Sequence, residues 1–294
     1  MTSSRLGWQS KVVLLLVLPW TAVSVLVQAR QWWVQEPAVA AWTVGMSVAL
    51  GLLAWALRSA SPAAALTGAV INAALMFSMF DPPFRPWRTG LVPVLVVLVL
   101  TSLATRFGRG RKERMGIAEK RHGRAAAQVA ANLGMAALVM DPSVQSALVD
   151  THWLAARRFD AIFALGLAAL AEAAADTLSS EIGQVLGGMP RMITTLRRVD
   201  AGTDGGITFA GSAVGILAAG LVAGAGSLAL HGDVLMFVVS WAGGVFGLFF
   251  DSLLGATVER ARWVNNDAVN FLSTASAVGF ALALSPWMGH AGIR

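Results

Sequence analysis

The chain has 294 residues, 56% hydrophobic and 13% charged, where an ordinary soluble domain carries about 25% charged residues. With a mean hydropathy of +0.66, this is the composition of a polytopic membrane protein, and it excludes a secreted, fibrous or disordered chain. Cysteine is absent, which removes disulfides, thiolate metal centres, iron–sulfur clusters and cysteine nucleophiles, and the formal net charge is +6.

Apolar stretches predict spans near 12–28, 38–57, 63–80, 90–105, 125–140, 158–180, 207–230, 233–251 and 266–287. The first follows Arg5 and Lys11, but no small-residue cleavage pattern precedes the tryptophan-bearing segment 29–35, so it reads as a retained anchor. The expected fold class is all-α, a polytopic transmembrane helix bundle of about nine spans. Residues 1–60 are expected to be anchoring spans, with Trp32 and Trp33 at an interface, and 61–294 the functional unit.

Charge sets the expected orientation. Arg106, Arg109, Arg111, Lys112, Arg114, Lys120, Arg121 and Arg124, against Glu113 and Glu119, give one connecting segment the net charge of the whole chain. It reads as a topology signal and needs no nucleic-acid partner. With the N-terminus cytoplasmic, this segment, Arg191, Arg197 and Arg198, and Arg260 and Arg262 all fall on the cytoplasmic side, the C-terminus outside. Arg30, Arg85, Arg88, Arg157 and Arg158 fall outside, against the rule.

Polar residues enter the apolar stretches at one level. Glu172, Asp176 and Ser180 are spaced i, i+4, i+8 on one helical face, with Ser179 and Glu181 beyond them. Asp251, Gly255 and Glu259 repeat that spacing, and the last span opens on Asn265, Asn266, Asp267 and, one turn on, Asn270. The short span 125–140 carries Gln128 and Asn132. Any one of these reads equally as a helix cap or a partner for a nearby arginine, Glu259 with Arg260 among them. As a group, carboxylates from separate helices at one depth suit Mg²⁺ or Mn²⁺. The four histidines, His122, His152, His231 and His290, are scattered and make a zinc hydrolase improbable. Gly211/Gly215, Gly220/Gly224 and Gly243/Gly247 have the spacing of closely packed helices.

The connector 187–206 holds Pro190, Arg191, Thr194, Thr195, Arg197 and Arg198, then Gly202-Thr203-Asp204-Gly205-Gly206 before a helix. Glycine amides there suit an anion nest and arginine binds phosphate bidentately, although a plain re-entrant turn fits as well. No GxxxxGK[ST] occurs, and the lysines are Lys11, Lys112 and Lys120, so a P-loop kinase is excluded.

Several runs resemble the DUF92 integral membrane family: 175–183 (Ala-Asp-Thr-Leu-Ser-Ser-Glu-Ile-Gly), Pro190-Arg191 with Ile193-Thr194-Thr195, and Gly202 to Gly206. Gly123-Arg124 with the run Gln128 to Asn132, and the run Asp251 to Thr257 followed by Asn265-Asn266-Asp267 and Val269-Asn270-Phe271, are similar to it too. Asp204 departs from an expected asparagine and Asp200 from an expected proline. The family includes a plant phytyl-phosphate kinase, so the resemblance implies a Mg²⁺-dependent enzyme that phosphorylates an isoprenoid monophosphate from CTP or ATP, with 61–294 as the catalytic membrane domain. On that reading Asp176, Glu181, Asp251 and Asp267 bind the metal. Arg191, Arg198 and the amides of Gly202 to Gly206 hold phosphates, and Arg124, Gln128 and Asn132 contact the acceptor head or the nucleotide. Thr177, Ser180, Thr194, Thr203, Asn266 and Asn270 complete the expected site. The lipid tail is expected along the glycine-rich spans, and the site is expected to face the cytoplasm from a bacterial inner membrane. A CTP-dependent lipid cytidylyltransferase and a non-catalytic transporter are the alternatives.

Overall fold

The computed structural model describes residues 7–116, 123–151 and 159–290. Arg5, Glu119, Lys120, Arg121, His122, His152, Arg157 and Arg158, which entered the charge and histidine readings above, lie outside the described residues.

Prolines and polar caps begin many of the helices, as fixed φ angles and orphan amides require. α1 (Trp8–Gln35) turns at Glu36 into α2 (Pro37–Ala56), and α3 (Pro62–Ser78) is capped by Ser61, whose Oγ accepts from the Ala64 amide at 3.3 Å. α4 (Leu91–Arg106) is followed at a 59° bend by the short α5 (Arg109–Met115). α6 (Ala126–Val139) leads to α7 (Pro142–Asp150), which Asp141 caps, and then to α8 (Phe159–Leu186). A two-stranded antiparallel ribbon, β1 (Arg191–Met192) and β2 (Gly206–Ile207), precedes α9 (Phe209–Ala229). α10 (Val234–Leu254) runs into a π-helical turn at Gly255–Glu259, and α11 (Asn266–His290) follows.

The nine stretches predicted from sequence each coincide with one of these helices, giving the all-α membrane bundle expected. Among the described residues, six helices have the length and hydropathy to cross a membrane, and the bent pair α4–α5 makes a possible seventh. α3 and α6, at 17 and 14 residues, are apolar but short of the roughly 20 that a crossing takes. Protein backbone at their ends explains how they stop early. Arg124 N donates to the Ser59 carbonyl and Ser61 N to the Arg124 carbonyl, both at 3.0 Å, so irregular chain between helices is satisfied inside protein.

α8 is the axis of the bundle. Its sequence is apolar nearly all round, as a fully enclosed helix requires, and 94% of its most apolar window is buried. Without a hydrophobic force between helices in lipid, close backbone packing carries the association. Gly243 and Gly247 of α10 lie against Ala168 and Glu172, where a Cβ would come within 2.8 and 2.5 Å, and Gly215 of α9 lies 2.9 Å from the Ala175 carbonyl by the same measure. Gly220 and Gly224 have 3.5 Å or more to Trp241 and Phe237, so that spacing does not mark a tight contact. Trp20, Trp42, Trp55, Leu217 and Leu228 point outward from the rim. The C-terminal ends of α8 and α10 and the N-terminal ends of α6, α9 and α11 meet at one end of the bundle, where the polar residues are.

Candidate active site at the polar end of the bundle

These helix ends enclose a cavity of about 380 Å³. α8 contributes Asp176, Thr177, Ser180 and Glu181; α10 and its π turn contribute Asp251, Gly255 and Glu259; α6 and the residues before it contribute Arg124, Gln128 and Asn132. Asn266 and Asn270 enter from α11, and the loop Gly202 to Gly206, with Thr208, closes the rim. The i, i+4 register of α8 carries Asp176 into this space one turn beyond Glu172, which stays buried beneath it.

The carboxyl groups of Asp176 and Asp251 lie within hydrogen-bonding reach of each other, and Arg124 lies close enough to Asp176 to act on it electrostatically. Oδ1 of Asp251 is buried without a hydrogen-bond partner among the described residues. A buried acceptor left open is costly, about 1–3 kcal/mol or more for a charged group, which makes it a natural seat for a cation. Arg124 Nη1 donates to Thr101 Oγ1 at 2.9 Å, and Asn270 Nδ2 donates to Asn132 Oδ1 at 2.7 Å, tying α11 to α6 across the floor. Gln128 accepts from the Ala125 amide at 2.8 Å and so caps α6. Thr177 and Ser180 donate to α8 carbonyls.

The rim loop is held by backbone. Gly205 has φ +75°, and a Cβ there would stand 2.4 Å from the Ala256 amide nitrogen; only glycine fits where the loop lies on the π turn. Ile193 N donates to the Gly205 carbonyl at 3.0 Å, fastening the loop to the ribbon.

The four-carboxylate metal cluster expected from sequence does not assemble. Asp267 Oδ2 accepts from Ser10 Oγ at 2.6 Å, because the first turn of α11 directs it toward α1 while Asn266 and Asn270 face the cavity. Glu181 reaches the cavity wall, but its carboxylate pairs with Lys112 Nζ at 2.5 Å. Among the described residues no three acidic or histidine side chains are placed to hold one ion. Arg191, Arg198 and Thr194 are exposed and do not line the cavity: Arg191 Nη1 donates to the Leu196 carbonyl at 2.9 Å, folded over its own loop, and Arg198 bridges Arg191 through backbone.

Glu259 and Asp204 do line the cavity, and both lie close enough to interact electrostatically. The i, i+4, i+8 spacing puts Glu259 on the face of Asp251 only where the helix stays regular, and a pairing with Arg260 is the alternative the sequence offers. The π turn instead carries it to the cavity, while Arg260 Nη1 lies 3.6 Å from Met192 Sδ. Thr208 was missed. It caps α9, accepting from Gly211 N at 3.0 Å, and a threonine just before an apolar run is the pattern that marks it.

Residues 45–278 match the family described as integral membrane protein DUF92. An uncharacterized membrane protein of Methanocaldococcus jannaschii is 43% identical over 108 residues, which are 37% of this chain and 45% of that protein. The chloroplastic protein VTE6 of Arabidopsis thaliana is 27% identical over 235 residues, 77% of this chain and 67% of VTE6. An uncharacterized membrane protein of Synechocystis is 31% identical over 209 residues, 66% of this chain and 74% of its own length. The chain thus spans under half of the archaeal relative. No solved structure matches it significantly.

Proposed function

The chain belongs to the DUF92 integral membrane protein family, and on that premise we propose that it is a kinase transferring the γ-phosphoryl group of a nucleoside triphosphate to an isoprenoid monophosphate. The observation that carries this reading is the Asp176–Asp251 pair, with its open Oδ1, facing Arg124 across one cavity.

The donor set suits Mg²⁺, which is commonly held by one or two carboxylates plus substrate phosphates and water rather than by an all-protein cage. Asp176 and Asp251 would hold it, with Glu259 near, and the ion would supply charge neutralisation to the phosphates. In the transfer, an oxygen of the acceptor's phosphate forms a bond to the γ-phosphorus. The bond from that phosphorus to the β–γ bridging oxygen breaks, and the nucleoside diphosphate leaves with the electron pair. The acceptor already carries an anionic oxygen, so no general base is needed. Arg124 orients the acceptor phosphate, the amides of Gly202, Asp204 and Gly205 bind donor phosphate oxygens while those of Thr203 and Gly206 hold the loop by donating to the Asp200 and Thr203 carbonyls, and the Asn132–Asn270 bond fixes the floor between them. The basic flank around α5 supports a cytoplasmic orientation for this end of the bundle.

Membranes carrying the protein, given an isoprenoid monophosphate and nucleoside triphosphate labelled at the γ or the α position, test the reading. Label passing to lipid from the γ position alone, as a lipid diphosphate, is expected. A lipid labelled from the α position with release of pyrophosphate would make the protein a cytidylyltransferase, and no lipid product with any isoprenoid phosphate would remove the enzyme reading.

A further inference from the structure

A narrow second cavity of about 70 Å³ adjoins the first and shares Arg124, Asn132 and Thr177 with it. Its walls are apolar or small: Leu50 from α2, Ala64 and Gly68 from α3, Val94 and Val97 from α4 and Leu133 from α6. A third, of about 240 Å³, is lined by Arg58, Arg106, Arg109 and Arg124, and shares Ser59, Thr101 and Arg124 with the crevice. Arg124 therefore stands where an acidic cavity, an arginine-lined cavity and an apolar shaft meet. Beyond the shaft lies a lipid-facing groove of about 270 Å³ between α2 and α3; Gly51 and Ala65 line both and form the wall between them, since a Cβ at Gly51 would stand 2.9 Å from the Ala65 carbonyl.

An apolar shaft whose polar residues gather at one end fits an amphiphile with an anionic head. We propose that this crevice is the acceptor subsite: the phosphate monoester sits at Arg124, with the other arginines neutralising it, and the isoprenoid tail enters the shaft between α2, α3, α4 and α6, a tail longer than the shaft parting α2 from α3 at Gly51 to reach the groove. The donor then approaches from the opposite side of Arg124, where Asp176 and Asp251 lie. This replaces the expectation of a tail along the glycine-rich spans, because the tight glycines of α9 and α10 are closed against α8. The inference rests on the kinase reading for the identity of the head group.

Gly68 offers a direct test. A Cβ there would meet nothing nearer than Val129 Cγ1 at 3.8 Å, so a larger side chain enters the shaft without a backbone clash. In Gly68→Leu the ratio of kcat/KM for geranylgeranyl phosphate to that for dimethylallyl phosphate is expected to fall at least tenfold, with Gly68→Ala intermediate; an unchanged ratio overturns the subsite. Photolabelling of the wild type with geranylgeranyl phosphate carrying a diazirine in its first isoprene unit gives an independent readout. Saturable label on α2, α3, α4 or α6 supports the subsite, and label on α9 or α10, or none that unlabelled lipid competes away, overturns it. Should the wild type transfer phosphate to no isoprenoid while saturable label maps to the crevice, the kinase reading fails and the lipid-phosphate subsite stands.

Discussion

Lys112 Nζ lies 2.5 Å from Glu181 Oε2, and its side chain is 1% exposed, with that of Glu181 15% exposed. The ammonium also donates to the carbonyls of Ala104 at 3.2 Å and Thr105 at 3.0 Å in the last turn of α4, where helical donors run out. One lysine of the basic segment thus fastens α5 and α4 to the cavity end of α8.

Removing one member of such a pair leaves a buried charge and costs about 3–5 kcal/mol, whereas replacing both with apolar residues is far milder. Lys112→Met and Glu181→Leu should each lower thermal stability in detergent markedly, and the double variant should recover much of the loss. A Glu181→Leu protein of unchanged melting temperature but no transfer activity would instead make Glu181 a ligand in the site.

Asp267 separates the structure from the sequence reading in the same manner. Its bond to Ser10 ties α11 to α1, and hydrogen bonds to charged groups contribute about 1.5–3 kcal/mol. Asp267→Asn and Ser10→Ala should therefore lower the melting temperature while phosphoryl transfer stays within a few-fold of wild type. A loss of transfer of about 100-fold in Asp267→Asn at unchanged stability would return that carboxylate to the metal.

At Gly205 a methyl group meets Ala256 backbone, while Gly188, also at positive φ (+68°), has nothing within 4 Å of the built Cβ. Gly188→Ala should show only the local cost of a left-handed residue, about 1–2 kcal/mol. Gly205→Ala should also displace the rim loop and raise the nucleotide KM at least tenfold. Equal nucleotide KM values in the two would detach the loop from donor binding.

Arg124 faces both substrates in this account, and a planar guanidinium is not replaced by an ammonium where contacts are bidentate. Arg124→Lys should lower kcat/KM by about 10–100-fold, which is roughly 1.4–2.7 kcal/mol at 1.36 kcal/mol per tenfold. Arg198→Ala, on the exposed side of the ribbon loop, should change it by less than a factor of about three. Kinetics with both substrates varied checks the pair, and the reverse ranking would shift phosphate binding to the ribbon.

The bundle was legible because composition and apolar run length speak directly to a membrane fold, and the resemblance to the DUF92 family rested on ordered runs of several residues. The depth at which Asp176 and Asp251 sit followed from helical periodicity. The direction of Asp267 did not, since the first turn of a helix faces wherever packing rotates it, and α1, more than 250 residues away in the chain, supplies its partner. Arg191 and Arg198 are suggested as phosphate ligands only by residue type in a glycine-rich connector, and the short β1–β2 ribbon turns them outward. Glu259 depends on a π turn, which no spacing rule anticipates, and the Lys112–Glu181 pair joins residues 69 apart, one read from sequence as part of a topology signal and the other, through the family resemblance, as a metal ligand.

The most direct test of the central claim is Mg²⁺-dependent transfer of γ-label to geranylgeranyl phosphate by purified wild type, Asp176→Asn and Asp251→Asn, each shown to be folded by its melting temperature. Removing a preorganised charge from a phosphoryl-transfer site costs at least about 100-fold, so the account predicts a loss of that size in both variants and none of the wild-type activity in excess chelator. Wild-type rates in both variants, or transfer that persists without a divalent cation, would contradict it.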